Sequence, residues 1–318
     1  MQYRNYAPAV QSFRFGVQLS GAGDGAEWRA KARQIEDLGY STLFLPDHFG
    51  SQWAPLVALT SAAEATSTLR VGSLVFDNDY RHPVLLAREV ATLAIVSEER
   101  VEFGLGAGWQ RSDYEQAGMA FDPPGVRIDR MVEGLHIMRD LWSTGRSTFE
   151  GKYYSVNGAH GVPMPAGTDH PPIIIGGGGK RVLSIAAREA EIVGFSPSLA
   201  EGVVGLATAQ SAVAARFRER VDWVKEAAGA RLAELEFQVL IFAVQVTEHR
   251  DRFLDDAASL FGLTPDEVAG SPIALVGTVE EICETLLSRR EEYGFSYMVV
   301  HDENIEDFAP VVAALAGT

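Results

Sequence analysis

Cysteine is nearly missing from this chain: its 318 residues include one, Cys283. A disulfide framework is therefore excluded, and Cys283, inside the helical pattern EEICETLLSRR, reads as a buried structural thiol. Redox work, if any, must come from a cofactor. No run of eighteen apolar residues occurs, and MQYRNYAPAVQSFRFG at the start lacks the charged-then-apolar build of a secretory signal. The expectation is a soluble, cytoplasmic protein with no membrane partner. Positive charge is also short, with 27 Lys and Arg against 43 Asp and Glu and a net charge of −16. No Lys/Arg stripe interleaved with aromatics offsets it, which excludes nucleic acid as a partner. An anionic cofactor stays allowed, because a nest of backbone N–H groups acts at short range against the global field.

Familiar catalytic signatures are lacking too. The seven histidines are scattered, no His-x-His follows the first strand-like run, and HExxH and G-x-S-x-G are absent, so neither a metal site nor a serine nucleophile is expected. Lys31, Lys152, Lys180 and Lys225 all lie outside the strand-like runs, which argues against a Schiff-base lysine.

What is present is ordinary globular composition, 47% hydrophobic and 22% charged, arranged as apolar strand-like runs alternating with helical periodicity. The runs are 13–20, 41–46, 69–76, 100–106, 171–176, 191–196, 237–246 and 295–301. Eight of them over this length favour a single (β/α)8 TIM barrel with insertion loops, spanning residues 1–318 as one domain, over an open doubly wound sheet. Between the runs, Trp28, Ala32, Ile35 and Leu38 fall at helical spacing, and Pro83 stands where a helix should begin. Thr278 followed by Glu281 is a capping box. Two stretches break the rhythm, 107–124 and 145–170, and long loops of this kind are expected over a site.

A barrel places its chemistry where strands end. Those ends carry Gln18, Ser20 and Gly21; Asp47 and His48; Asp77 and Asn78; GLGAGW; the run Gly176 to Gly179 with Lys180; Ser196 and Ser198; and His301 with Asp302. Four glycines before a helix turn their N–H groups toward one point, where the helix dipole also favours an anion, so a phosphate fits. A flexible turn with a helix cap fits equally, and neither GxxxxGK[ST] nor GxGxxG is present. GLGAGW puts small residues on one face of its strand, which leaves room for a ring system or permits tight packing. His48 exchanges protons near neutral pH and sits at a strand end beside Asp47. Adjacent side chains on extended backbone point to opposite faces, so those two would not pair unless the chain bends.

Taken together, PDHF (46–49), LRVGSLVFDNDYRHPVLLAREVATL (69–93), RVEFGLGAGW (100–109), PPIIIGGGGKRVLSIAAREAEIVGF (171–195) and GTVEEICETL (277–286) resemble the luciferase-like superfamily. Within it, they resemble the oxidoreductases dependent on the deazaflavin coenzyme F420. The resemblance implies a cofactor ring across the barrel mouth, contacted by Asp47, by Ser73, Leu74 and Val75, and by Gly106, Ala107 and Gly108, with its phosphate on the amides of Gly176, Gly177, Gly178 and Gly179. A non-proline cis peptide is implied near Leu74–Val75. His48 is implied as proton acceptor or donor during hydride transfer, with Asp47 and Trp53 beside it in the catalytic group, and a homodimer is implied as the assembly. The sugar-phosphate enzymes of this group place a tryptophan four residues after that histidine, whereas Trp53 stands five after His48; Trp109 replaces their glutamate, and no cationic pocket is evident. The implied substrate is a small, more apolar molecule bounded by Trp53, Trp109 and the two long loops. An FMN-dependent luciferase-like monooxygenase and a non-catalytic flavin-binding protein are the alternatives.

Overall fold

A computed structural model describes residues 11–164 and 169–318. The strands are β1 (Arg14–Gln18), β2 (Thr42–Leu45), β3 (Arg70–Asp77), β4 (Val101–Gly106), β5 (Arg146–Glu150), β6 (Ser155–His160), β7 (Ile173–Gly177), β8 (Ile192–Phe195), β9 (Glu236–Leu240), β10 (Ala243–Val246), β11 (Ala274–Gly277) and β12 (Phe295–His301). Eight of them close a parallel barrel in the order β1-β12-β9-β8-β7-β4-β3-β2. The helices are α1 (Gly25–Asp37), α2 (Pro55–Ala65), α3 (Pro83–Val96), α4 (Arg111–Ala117), α5 (Pro124–Thr144), α6 (Lys180–Glu189), α7 (Leu206–Gln210), α8 (Ala214–Ala228), α9 (Arg250–Phe261), α10 (Pro265–Ala269), α11 (Val279–Tyr293) and α12 (Ile305–Leu315). The expected (β/α)8 TIM barrel is the fold observed.

Local chemistry sets these elements. Asp24 caps α1 by accepting from the N–H groups of Ala26 and Glu27, and the helix buries Trp28, Ala32 and Ile35 on one face. Pro83 occupies the first turn of α3. In α11 both halves of the box form, with Glu281 N–H donating to Thr278 Oγ1 and Thr278 N–H to Glu281 Oε2. Cys283 on α11 is half-buried, less enclosed than expected, because it lies beside the buried stripe headed by Ile282 and Leu286.

Two hydrophobic layers result. The large cluster joins sheet to helices, while Phe44, Ile174, Ile192, Tyr297 and Val299, from four different strands, form a separate group together with Leu74 on β3 and Leu240 on β9. Side chains converging from so many strands away from the helices fill the barrel interior. At the strand starts a charged network closes the floor. Arg14 reaches Glu102 at 2.7 Å and Glu236 at 2.6 Å, Arg70 donates to Glu102 at 2.8 Å, and the Tyr297 hydroxyl donates to Glu102 at 3.0 Å.

Two expectations are corrected. The run 237–246 is not one strand: Ile241 still donates to Val299, but Phe242 donates to Ile273, so the chain leaves the barrel there and β10 pairs with β11 in a separate two-stranded sheet. The stretch 145–170, expected as a long loop, holds regular structure. It contains an antiparallel hairpin, β5 with β6, that packs on α5 outside the barrel, and residues 165–168 lie outside the described residues. The hairpin's link inward is Asn78, whose side-chain amide donates to the Tyr154 hydroxyl. Among the described residues no helix is long and apolar enough to cross a membrane.

Candidate active site

The end of β2 delivers Asp47 and His48 to opposite partners, as alternation along extended backbone requires. Asp47, buried, takes both arms of the Arg81 guanidinium and accepts the Asp77 N–H at 3.1 Å, tying the end of β2 to the end of β3. His48 turns the other way. Its Nδ1 lies 2.6 Å from Asp113 Oδ2, and Asp113 is 1% exposed against 19% for the His48 side chain. Asp113 also accepts from the Tyr80 hydroxyl at 3.1 Å and from the Gln110 amide at 2.7 Å. The Trp109 ring meets the imidazole edge-on, with centroids 5.3 Å apart, and Phe49 stacks on Tyr80 at 4.6 Å.

Next to this pair stands the end of β3. The β3–β4 register breaks after Ser73 and resumes at Phe76 opposite Leu105, and the peptide between Leu74 and Val75 is cis. Gln18 donates to the Leu74 carbonyl at 2.8 Å, and the Ser73 hydroxyl donates to the Leu45 carbonyl at 2.9 Å, so strands on the far side brace the bulge. Leu74 and Val75 are left half-exposed. Beyond them, Asp79 pairs with both arms of Arg130, at 2.7 and 2.6 Å. Among the described residues no cation forms an ion pair with Asp77. Burial pushes its carboxyl up to about 7, the charges of Asp79 and Asp47 push the same way, and the Asp79 N–H and the Tyr114 hydroxyl oppose them.

The glycines resolve into packing and open space. A β-carbon on Gly104 would overlap the Ser73 carbonyl and sit 2.9 Å from Val75, and one on Gly106 would lie 2.5 Å from Val75. Of the two readings of GLGAGW, tight packing therefore holds at these positions: the missing side chains make room for the bulge. Gly108, at φ +73°, makes room for the Tyr114 hydroxyl and Asp77. In the second run Gly177 accommodates Val182, and Gly178 lies against the Pro197 and Ser196 carbonyls, whereas Gly179 faces open space. Gly179 is the N-cap of α6 and has no side chain to cap it. Behind the run, Arg220 is buried, donating to the Gly178 carbonyl at 3.1 Å and the Ser211 carbonyl at 2.8 Å. Burial lowers its guanidinium to about 10, and no carboxylate pairs with it among the described residues.

A family model described as luciferase-like monooxygenase matches residues 10–271. The chain belongs to this family. Among its luciferase-like relatives is the F420-dependent glucose-6-phosphate dehydrogenase of Nakamurella multipartita, 28% identical over 286 residues that cover 85% of this chain and 79% of the relative. An uncharacterized protein of Mycobacterium bovis is 27% identical over 52% of this chain and 65% of its own length. The fold is also that of an F420-dependent secondary alcohol dehydrogenase solved with an F420-acetone adduct, at TM-score 0.76 and 18% identity over 96% of this chain and 99% of that one.

In this luciferase-like barrel, the residues singled out from sequence divide into groups. His48, Asp47 and the Ser73–Leu74–Val75 bulge share one sector of the mouth, with Gly106, Ala107 and Gly108 behind the bulge. Trp53 lies with Gly21 and with the Trp28 ring, 5.5 Å away and tilted by 42°. Gly176 to Gly179 end β7 and open α6. Sequence reasoning missed Asp113, Tyr80, Arg81, Gln110 and Arg220. Only Asp113 carried a local signal, an acidic residue in the first turn of a short helix directly after the GLGAGW glycines.

Proposed function

We propose that this protein is an F420-dependent oxidoreductase that moves a hydride between the deazaflavin and a small, largely apolar substrate bearing a hydroxyl or carbonyl. The observation that carries the reading is His48: a half-buried imidazole held by Asp113 on the mouth, next to a braced bulge whose Leu74 and Val75 stay half-exposed. The residues fit the group. Gly179 and the uncapped start of α6 offer amides and open space to a phosphate, with the Arg220 charge behind them. When bound, the deazaflavin supplies two-electron hydride chemistry. His48 Nε2 takes the proton of a substrate hydroxyl in the oxidative direction and returns it in the reductive one. Asp47, Ser73, Leu74 and Val75 would form the wall against the ring, and Trp53 and Trp109 would bound the substrate.

The relative from Nakamurella multipartita is named for glucose 6-phosphate. Here the arginines that enter the cluster, Arg81 and Arg130, are already taken by Asp47 and Asp79. A phosphorylated sugar would find them neutralised, while Trp109 and Phe49 offer apolar surface, which favours an apolar substrate. We place the protein in the cytoplasm as a homodimer, the second copy covering the exposed Val57 of α2 and Leu85, Ile95 and Val96 of α3. FMN is the alternative cofactor, since luciferase-like barrels of similar fold include a Baeyer-Villiger monooxygenase solved with FMN, at TM-score 0.70 and 18% identity. Titration of the purified chain with F420 and with FMN tests the reading. Saturable F420 binding that outcompetes FMN is expected; tight FMN binding with none of F420 overturns it.

A further inference from the structure

We infer that Asp113 is a positioning residue that fixes His48 in the tautomer protonated on Nδ1, so that Nε2 is the bare nitrogen offered to the substrate. The inference rests on His48 as the acid-base group proposed above, and it is tested independently of that role. A carboxylate only accepts, and every group arranged about this one donates: His48 Nδ1 at 2.6 Å and the Tyr80 hydroxyl at 3.1 Å on Oδ2, and the Gln110 amide at 2.7 Å on Oδ1. A bare Nδ1 at that distance would set two lone pairs against each other inside a site where Asp113 is 1% exposed. A neutral imidazole has a single N–H, so a proton on Nδ1 leaves Nε2 as the acceptor.

Three elements hold this arrangement. Asp113 lies in the first turn of α4, and the start of that helix is pinned from outside by Arg111 N–H donating to the Gly202 carbonyl at 3.3 Å. Tyr80 comes from the turn after β3, and Trp109 closes edge-on against the imidazole, limiting rotation of the ring. When a substrate O–H bond breaks, its proton goes to Nε2 while the Nδ1 proton stays between ring and carboxylate. The imidazolium so formed faces a buried negative charge, and the charge of the pair changes from −1 to zero. In the reductive direction the same proton returns from Nε2 to the substrate oxygen.

The test is the ring nitrogen spectrum of the full chain labelled with 15N-histidine at neutral pH, with and without F420, His48 being assigned by comparison with His48→Gln. Expected are a protonated Nδ1 and a bare Nε2 in the native chain, and a rise of the Nε2–H form in Asp113→Asn and Asp113→Ala. In turnover, those variants should lose on the order of 10–100-fold in kcat with KM little changed, comparable to losing the carboxylate behind a metal-bound histidine. A native His48 protonated on Nε2, or on both nitrogens, overturns the inference. So does an unchanged tautomer in both variants. A chain with the expected tautomer that fails to bind F420 would instead remove the cofactor reading and leave the dyad standing.

Discussion

Replacing Asp77 by asparagine keeps its shape and removes its charge, and so isolates the effect of burying a carboxyl among others. Its folded value, raised to about 7 mainly by burial, lies above the unfolded one of 3.8. Between those values the native state holds more protons than the unfolded chain, so this group's contribution is intact below pH about 4 and is lost as pH rises through about 7. Denaturant melts of Asp77→Asn should therefore show a weaker decline in stability from pH 5 to pH 8 than the native chain, and an equal decline would clear Asp77. His48→Ala is expected to lower kcat by about 10²–10⁴-fold, the usual share of a general acid-base group, while F420 affinity stays nearly unchanged. A parallel loss of affinity would make His48 a ligand to the cofactor. At this scale sequence was an uneven guide. His48 stands out because it follows a strand end within PDHF, but its partner is 65 residues away, and nothing in the spacing of either points to the other.

Among elements, the bulge and the two glycine runs make separable claims. Gly104→Ala forces a methyl into the Ser73 carbonyl, and because that neighbour is backbone it has little room to give. A loss of about 1–3 kcal/mol, the usual cost of overpacking, is expected in chemical denaturation. Gly179→Ala meets nothing within 4 Å at an ordinary φ of −108°, so stability should change by less than about 1 kcal/mol. Calorimetry of the same variant should nonetheless show weaker F420 binding if the phosphate lies over that N-cap; undiminished affinity would move the anion elsewhere. The barrel strands were legible because buried strands read as apolar runs. The break at Phe242 was not, since apolar residues continue across it while the hydrogen-bond partner changes from Val299 to Ile273. The β5–β6 hairpin was hidden for the opposite reason. SVNGAH is mostly exposed and carries little of the β-branched or aromatic signal that marks a strand.

For the molecule as a whole, closure of β1 on β12 follows from strand count and length, whereas its assembly does not follow from any single stretch of sequence. Charged replacements at Leu85 and Ile95, both outward on α3, are expected to halve the mass seen by light scattering while leaving the circular dichroism spectrum unchanged. An unaltered mass would put the contact on another face. The two ends of the barrel also differ in a way that bears on kinetics. Arg14, Arg70, Glu102, Glu236 and Tyr297 stopper the foot, so the vessel has one door, at the ends of the strands. Coenzyme and substrate, if both bind at the mouth as proposed, would share that entrance, and whichever settled deeper would have to arrive first and depart last, so that compulsory-order turnover would follow from how the floor is sealed.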